Sequence, residues 1–331
     1  MLPLPAFDVV RPSTVDEALR ALGTPGAQLV AGGTDLLPAL KNDLASPSVL
    51  VSLSRIDALR HIRIQDDGTL VIGAGVTLSR LAEEPVVTRH APAVAQAASV
   101  VASPQIRNAA TLGGNLCLPT RCVYYNQSAF WRAALGHCLR KDGDVCHVVP
   151  GGRRCVAAFT ADTPPALMAL GAQVVLTSSR GVRALPLAEL YVADGARHVA
   201  KRDDEIVTEV RVPDCAQPAW SSYRKLASRS AIDFPLLAVA AALRLDPDGR
   251  VVSLCVVVSA LAAQPRVLKG LEQYAGSSWD DAVRRDVAEV ARRQCHPLPN
   301  VPGDAEWRRD VLVTEVRRAL EQLSPPASGQ R

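Results

Sequence analysis

AQLVAGGTDLLPAL, residues 27–40, decides how the chain is read. Gln28–Ala31 reads as a strand, Gly32-Gly33-Thr34 as a turn, and Asp35–Lys41 as a helix or helical turn. FDVVRPSTVDEALRAL before it predicts a short strand and a helix over Val15–Leu22, capped by Ser13 or Thr14 and stopped at Gly23. SPSVLVSLSRI (46–56) supplies another strand. This β-α-β-turn-α-β rhythm predicts a small parallel sheet. Consecutive glycines let backbone approach a ligand, and their N–H groups form an anion-binding nest. A glycine turn entering a helix suits a pyrophosphate.

A second such loop is ATLGGNLC (110–117), where Thr111 and Asn115 add side-chain hydrogen-bonding groups as Thr34 does in the first. Neither loop is a G-x-G-x-x-G or Walker sequence. A lone Gly-Gly is usually just a turn, but two that each follow a β-type segment suggest one turn per phosphate of a dinucleotide.

HIRIQDDGTLVIGAGV predicts a hairpin turning at Asp67-Gly68. Residues 77–102 read as helical and 102–116 as an irregular polar loop. TADTPPALMALGAQVVLTS predicts a proline-initiated helix and a strand, with further strands in VRALPLAELYV and EIVTEVRVP. From Trp220, two long apolar runs flank Asp246-Pro247-Asp248-Gly249, a hairpin signal, and two amphipathic helices follow. No internal repeat is visible. At 331 residues the chain is long enough for two or three units. The units expected are 1–57, 58–214 with an insertion at about 117–158, and 215–325, with 326–331 disordered.

The opening lacks a secretory pattern, and the longest apolar run, LLAVAAAL (236–243), is too short to span a bilayer. A cytoplasmic protein with no membrane contact is expected. The net charge of +4 is local: residues 121–155 hold six Arg and Lys against two Asp, leaving the rest neutral. That pattern argues against a nucleic-acid-binding stripe.

FDVVRPSTVDEAL, LVAGGTDL, QIRNAATLGGN, DTPPALMALGA and YRKLASRSAIDF, in this order over roughly residues 5–325, resemble the FAD-binding subunit of the xanthine dehydrogenase and carbon monoxide dehydrogenase family. The resemblance implies an α+β chain: a two-subdomain FAD-binding fold of the vanillyl-alcohol-oxidase/MurB-like type, then a smaller α+β C-terminal domain. It places Leu29, Val30, Ala31, Gly32, Gly33, Thr34, Asp35 and Leu36 in a first FAD loop and Ala102, Thr111, Gly114 and Asn115 in a second. Asp162 would meet the sugar-like portion, Ile206 and Val207 would lie near the flavin ring, and Lys225 would reach the flavin end. Taken singly, Lys225 reads as a solvated cation, Asp162 as a helix N-cap, and Ile206 and Val207 as strand core. No catalytic residue is expected in the chain.

Members of that family mostly pass from the GGN motif to the aspartate–proline helix within about a dozen residues. Here Asn115 and Asp162 are far apart, and CVYYNQSAFWRAALGHCLRKDGDVCHVVPGGRRC (122–155) intervenes. Its spacing is Cys122-x15-Cys138-x7-Cys146-x8-Cys155, without the short C-x2–4-C knuckles of structural zinc. Widely spaced cysteines on a glycine-rich wrapping loop suit a 4Fe–4S cluster, whose negative charge the six cations would offset. Tyr124, Tyr125, Phe130 and Trp131 are expected to shield it. Zinc, disulfides or no metal remain open on the residues alone. Cys117 reads as loop packing, Cys215, Cys255 and Cys295 as small buried hydrophobes, and His137 and His147 as unneeded for ligation.

An insertion of this kind resembles the beta subunits of 4-hydroxybenzoyl-CoA reductases. It implies an electron-transfer subunit with FAD and a 4Fe–4S cluster, in a dimer of heterotrimers. Partners would be a large molybdenum subunit, a small subunit with 2Fe–2S clusters, and a ferredoxin-like donor. The alternatives are an FAD subunit of a conventional molybdenum hydroxylase, a stand-alone flavoprotein, or a zinc-binding interaction module.

Overall fold

The computed structural model describes residues 3–213 and 220–323. Cys215, the expected 214/215 boundary and the 326–331 tail lie outside them.

The chain opens with β1 (Asp8–Val10), α1 (Val15–Leu22), β2 (Ala27–Val30), α2 (Leu36–Lys41) and β3 (Val49–Ser52). The strands form a parallel sheet in the order β1-β3-β2, as the opening rhythm predicts. Thr14, not Ser13, caps α1, accepting from the Glu17 N–H, while the Glu17 carboxylate reaches back to the Ser13 N–H at 2.8 Å. Both capping contacts satisfy orphan donors of the first turn.

The second unit contains β4 (Ile62–Ile64), β5 (Leu70–Gly73), α3 (Leu78–Glu83), α4 (Pro85–His90), α5 (Pro92–Ser99), α6 (Pro104–Ala109), α7 (Leu112–Leu116), α8 (Ala129–Leu135), α9 (Thr163–Ala169), β6 (Gln173–Ser178), β7 (Gly181–Pro186) and β8 (Ile206–Val212). Its antiparallel sheet runs β4-β5-β8-β6-β7. The stretch 77–102 is three helices, divided before Pro85 and Pro92. The expected loop over 102–116 is instead two short helices, started by Ser103 and Thr111 side chains that accept from Ile106 and Gly114 N–H groups. Ser-Pro and Thr-x-x-Gly were the available start signals.

The third unit is β9 (Trp220–Leu226), β10 (Leu237–Leu245), β11 (Val251–Ser259), β12 (Arg266–Val267), α10 (Asp281–Gln294) and α11 (Ala305–Glu321). Its antiparallel sheet runs β12-β11-β10-β9, and the Asp246 carboxylate ties the β10–β11 turn by accepting from Asp248 and Arg250 N–H groups. The run in β10 is apolar throughout because both of its faces are covered. Ala238, Ala240 and Ala242 join the core built with α5 and α9, while Leu237, Val239 and Leu243 join the core under α10 and α11. Small alanines on the first face admit the helices of the second unit closely. The C-terminal sheet is thereby packed directly against the second unit.

Candidate functional site

A cavity of about 1530 Å³ opens where the carboxyl ends of β2 and β3 meet α6, α7 and the start of β8. Such crevices beyond strand ends are where open α/β sheets bind ligands. Every residue of the two expected glycine loops lines it, together with Asp162, Ile206 and Val207. Lys225 alone of the expected set does not.

The loops are packed together through glycine. A Cβ on Gly32 would lie 2.0 Å from the Ala109 carbonyl oxygen, so only hydrogen allows this approach. Gly33 has φ +68°, a left-handed turn suited to glycine. The second loop is held by Leu112 N–H to Val76 O at 2.9 Å and Gly113 N–H to Ala74 O at 2.8 Å. Gly114 is different: a Cβ there would meet only Thr111 Oγ1, at 3.2 Å. Asn115 is buried, and its Oδ1 accepts from both Thr163 N–H (3.1 Å) and Thr163 Oγ1 (2.7 Å), anchoring the start of α9.

Asp162 precedes α9 without capping it; its side chain turns to the third unit. Tyr223 OH donates to Oδ1 at 2.6 Å and Lys225 Nζ to Oδ2 at 3.1 Å. Burial pushes the Asp162 carboxyl up, opposed by the Lys225 charge and the Tyr223 hydrogen bond. Lys225 also donates to Val100 O at 3.0 Å. It therefore meets the site through Asp162, and is not a solvated cation.

Ile206 and Val207 are both buried and begin β8 directly after Glu205. Glu205 is held by Arg183 (2.7 and 2.9 Å) and by the Arg202 N–H (2.7 Å), which keep its carboxyl below the usual range. Among the lining residues that sequence reasoning did not place at the site are Arg121, Ile232 and Phe234. Arg121 pairs with Asp35 and lies 4.6 Å from the Phe234 ring centroid. Burial and neighbouring Arg140 lower its pKa to about 10, so it stays charged near neutrality. Ile232, with φ +53°, donates its N–H to the carbonyl of Ala102, itself at φ +42°, at 2.8 Å. A β-branched residue in the left-handed region is strained, and nothing in composition signals that. The motif SRSAIDF was the only available pointer.

The inserted segment leaves this cavity through a two-bond neck, Arg121 and Ala158 exchanging N–H···O contacts of 2.7 Å. Cys122, Cys138, Cys146 and Cys155 all line one small pocket with about 20 Å³ of free space. All four are free thiols, so the disulfide reading is not met. Burial raises the thiol pKa of Cys122 and Cys155. Among the described residues, no group of three or more His, Cys, Asp or Glu side chains is arranged to hold a metal ion.

Two expectations about this segment need correction. Tyr124 and Tyr125 line the thiol pocket, but Phe130 and Trp131 do not shield it: Phe130 is 85% exposed and Trp131 37%, because α8 stands on the surface. Of the six cations only Arg140 lines the pocket. Arg132 is buried instead, donating to the carbonyls of Asn42, Asp43 and Gln127 and so fastening α8 to the first unit. Cys117 lines the large cavity, separate from the four. Cys255 and Cys295 have burial-raised pKa values of about 11 and about 12, those of inert packed thiols.

Residues 5–215 match the family described as "FAD binding domain in molybdopterin dehydrogenase", and 221–323 match "CO dehydrogenase flavoprotein C-terminal domain". The carbon monoxide dehydrogenase medium chain of Hydrogenophaga pseudoflava is 29% identical over 325 residues, covering 97% of each chain. The aldehyde oxidoreductase FAD-binding subunit of Escherichia coli is 34% identical over 258 residues, 74% of this chain and 80% of that one. Among solved structures, the Hydrogenophaga pseudoflava carbon monoxide dehydrogenase that lacks the Mo-pyranopterin moiety superposes with a TM-score of 0.78 at 26% identity, over 97% of this chain and 98% of that one. Among the described residues no helix is long and apolar enough to cross a membrane.

Proposed function

Because this chain belongs to the family of FAD-binding subunits of the molybdopterin dehydrogenases, we propose that it holds FAD in the large cavity and an iron–sulfur cluster in the thiol pocket, as the electron-transfer subunit of a molybdenum enzyme complex. Substrate chemistry then belongs to a large molybdenum subunit, with a small 2Fe–2S subunit completing each heterotrimer. FAD exchanges one or two electrons, which suits a junction between one-electron centres and a two-electron reaction.

The residues fit the cofactor. Gly32, Gly33 and Gly114 give backbone access for phosphates, and Thr111, whose Oγ1 already accepts from Gly114 N–H, keeps a hydroxyl proton to donate. Ile206 and Val207 offer an apolar wall for the flavin ring, and Asp162 is held at the cavity edge by Tyr223 and Lys225. These residues bind, orient and exclude water; none is asked to break a bond.

The single observation supporting the cluster is the convergence of four cysteines, from four places on one loop, on one pocket. Four thiolates are the usual 4Fe–4S donor set. The free space is that of about one water molecule, so a four-iron core is seated only with the pocket's walls moved apart. The reading extends to a 4-hydroxybenzoyl-CoA reductase type of complex, with a reduced ferredoxin-like donor meeting exposed Arg153 and Arg154.

A second reading is favoured by the relatives' names, carbon monoxide dehydrogenase and aldehyde oxidoreductase: the FAD subunit of a conventional molybdenum hydroxylase, with the insertion holding zinc or no metal. Flavin, iron, acid-labile sulfide and zinc assays on the purified chain separate the two. Flavin with about four iron and four sulfide per chain supports the cluster; flavin with zinc and no sulfide leaves only the conventional subunit.

A further inference from the structure

Among the described residues, Tyr125 and Arg140 alone line both the FAD-family cavity and the thiol pocket. They form the partition between the two. The Arg140 guanidinium carbon lies over the Tyr125 ring, 4.0 Å from its centroid, within the range of a cation–π pair. Arg140 Nη1 donates to the Thr120 carbonyl at 2.6 Å and to Thr120 Oγ1 at 2.8 Å. Thr120 is fully buried, and its hydroxyl donates onward to the Gly195 carbonyl at 2.7 Å. Gly195 N–H in turn donates to Cys155 O at 2.7 Å. The same backbone thus fixes one cysteine of the pocket and the cation beside it.

We infer that Arg140, gripped by Thr120 and stacked on Tyr125, is a positioning residue that couples the two redox sites by one fixed positive charge in their shared wall. This rests on the iron–sulfur reading above. Adding an electron to either side adds negative charge near a cation that has no carboxylate partner among its described contacts. Arg140 therefore stabilises the reduced form on both sides and raises both potentials. Arg121, which lines the large cavity only, is already matched by Asp35 and serves the glycine loop instead. A merely structural arginine would bind the Thr120 carbonyl equally well but would leave the potentials unmoved.

The test compares wild type, R140Q and R140K, each assayed for flavin, iron and labile sulfide and then titrated with dithionite under visible and electron-paramagnetic-resonance spectroscopy. At a fixed solution potential the reduced-to-oxidised ratio of cluster and flavin is expected to fall about tenfold in R140Q and to stay near wild type in R140K. R140Q with both groups retained and wild-type ratios overturns the inference while leaving the cluster reading intact. Wild-type protein holding flavin but no labile sulfide overturns the cluster reading and this inference with it. Should R140Q shed its cluster, the flavin ratio still decides. Losing an anionic cluster moves that ratio upward, so a fall supports the charge effect and an unchanged or raised ratio overturns it.

Discussion

Lys225 Nζ lies 3.1 Å from Asp162 Oδ2, an ion pair in which both side chains are less than a tenth exposed. It joins β9 of the third unit to the start of α9 in the second, beside the large cavity. Removing one partner strands the other charge out of water, which typically costs about 3–5 kcal/mol. K225M is expected to lower thermal stability by that order and to release flavin, while D162N, which keeps a Tyr223 acceptor, loses less. Calorimetry with flavin quantitation checks both; K225M melting and binding flavin like wild type would remove the pair from the site.

The two glycine loops predict unequal alanine effects. G32A drives a methyl group into the Ala109 carbonyl and is expected to destabilise by about 1–3 kcal/mol and abolish flavin binding. G114A meets only Thr111 Oγ1, so the fold should survive with flavin affinity reduced. Melting curves beside flavin fluorescence separate these outcomes, and equal stability loss in both would contradict the packing argument.

C138S is expected to lose labile sulfide and keep most of the flavin, because Cys138 lines only the thiol pocket. C117S, on the cavity side, should keep its sulfide. Iron and sulfide assays on both variants test the choice of four. Equal losses would place Cys117 among the ligands.

His198 is buried, and burial with the nearby Arg140 charge lowers its pKa from 6.5 to about 4. The unfolded chain binds this proton more readily, so the contribution is fully present above pH 6.5 and is lost as pH falls towards 4. The loss amounts to about 3 kcal/mol at most. Denaturant melts between pH 7 and 4 should show this slope in wild type and a shallower one in H198F.

The sequence by itself determined the order of elements and the parallel start of the chain. The capped helix at 15–22, the Asp-Gly and Asp-Pro-Asp-Gly turns and the doubly apolar β10 are local patterns whose period or turn chemistry permits few alternatives. It also determined the two glycine loops, since close backbone approach leaves a residue-type signature. It missed α6 and α7, because their polar composition hid caps that only Ser103 and Thr111 announced. Tertiary structure decided what side chains do with their neighbours. Phe130 and Trp131 read as shielding until α8 was placed on the surface, and Arg132 read as a counter-charge until its three carbonyl partners were seen. The convergence of four cysteines whose consecutive gaps reach fifteen residues, and the Tyr125–Arg140 wall they share with the cavity, are set by chain closure at the Arg121–Ala158 neck. Such long-range juxtapositions have no period or spacing for a sequence to display.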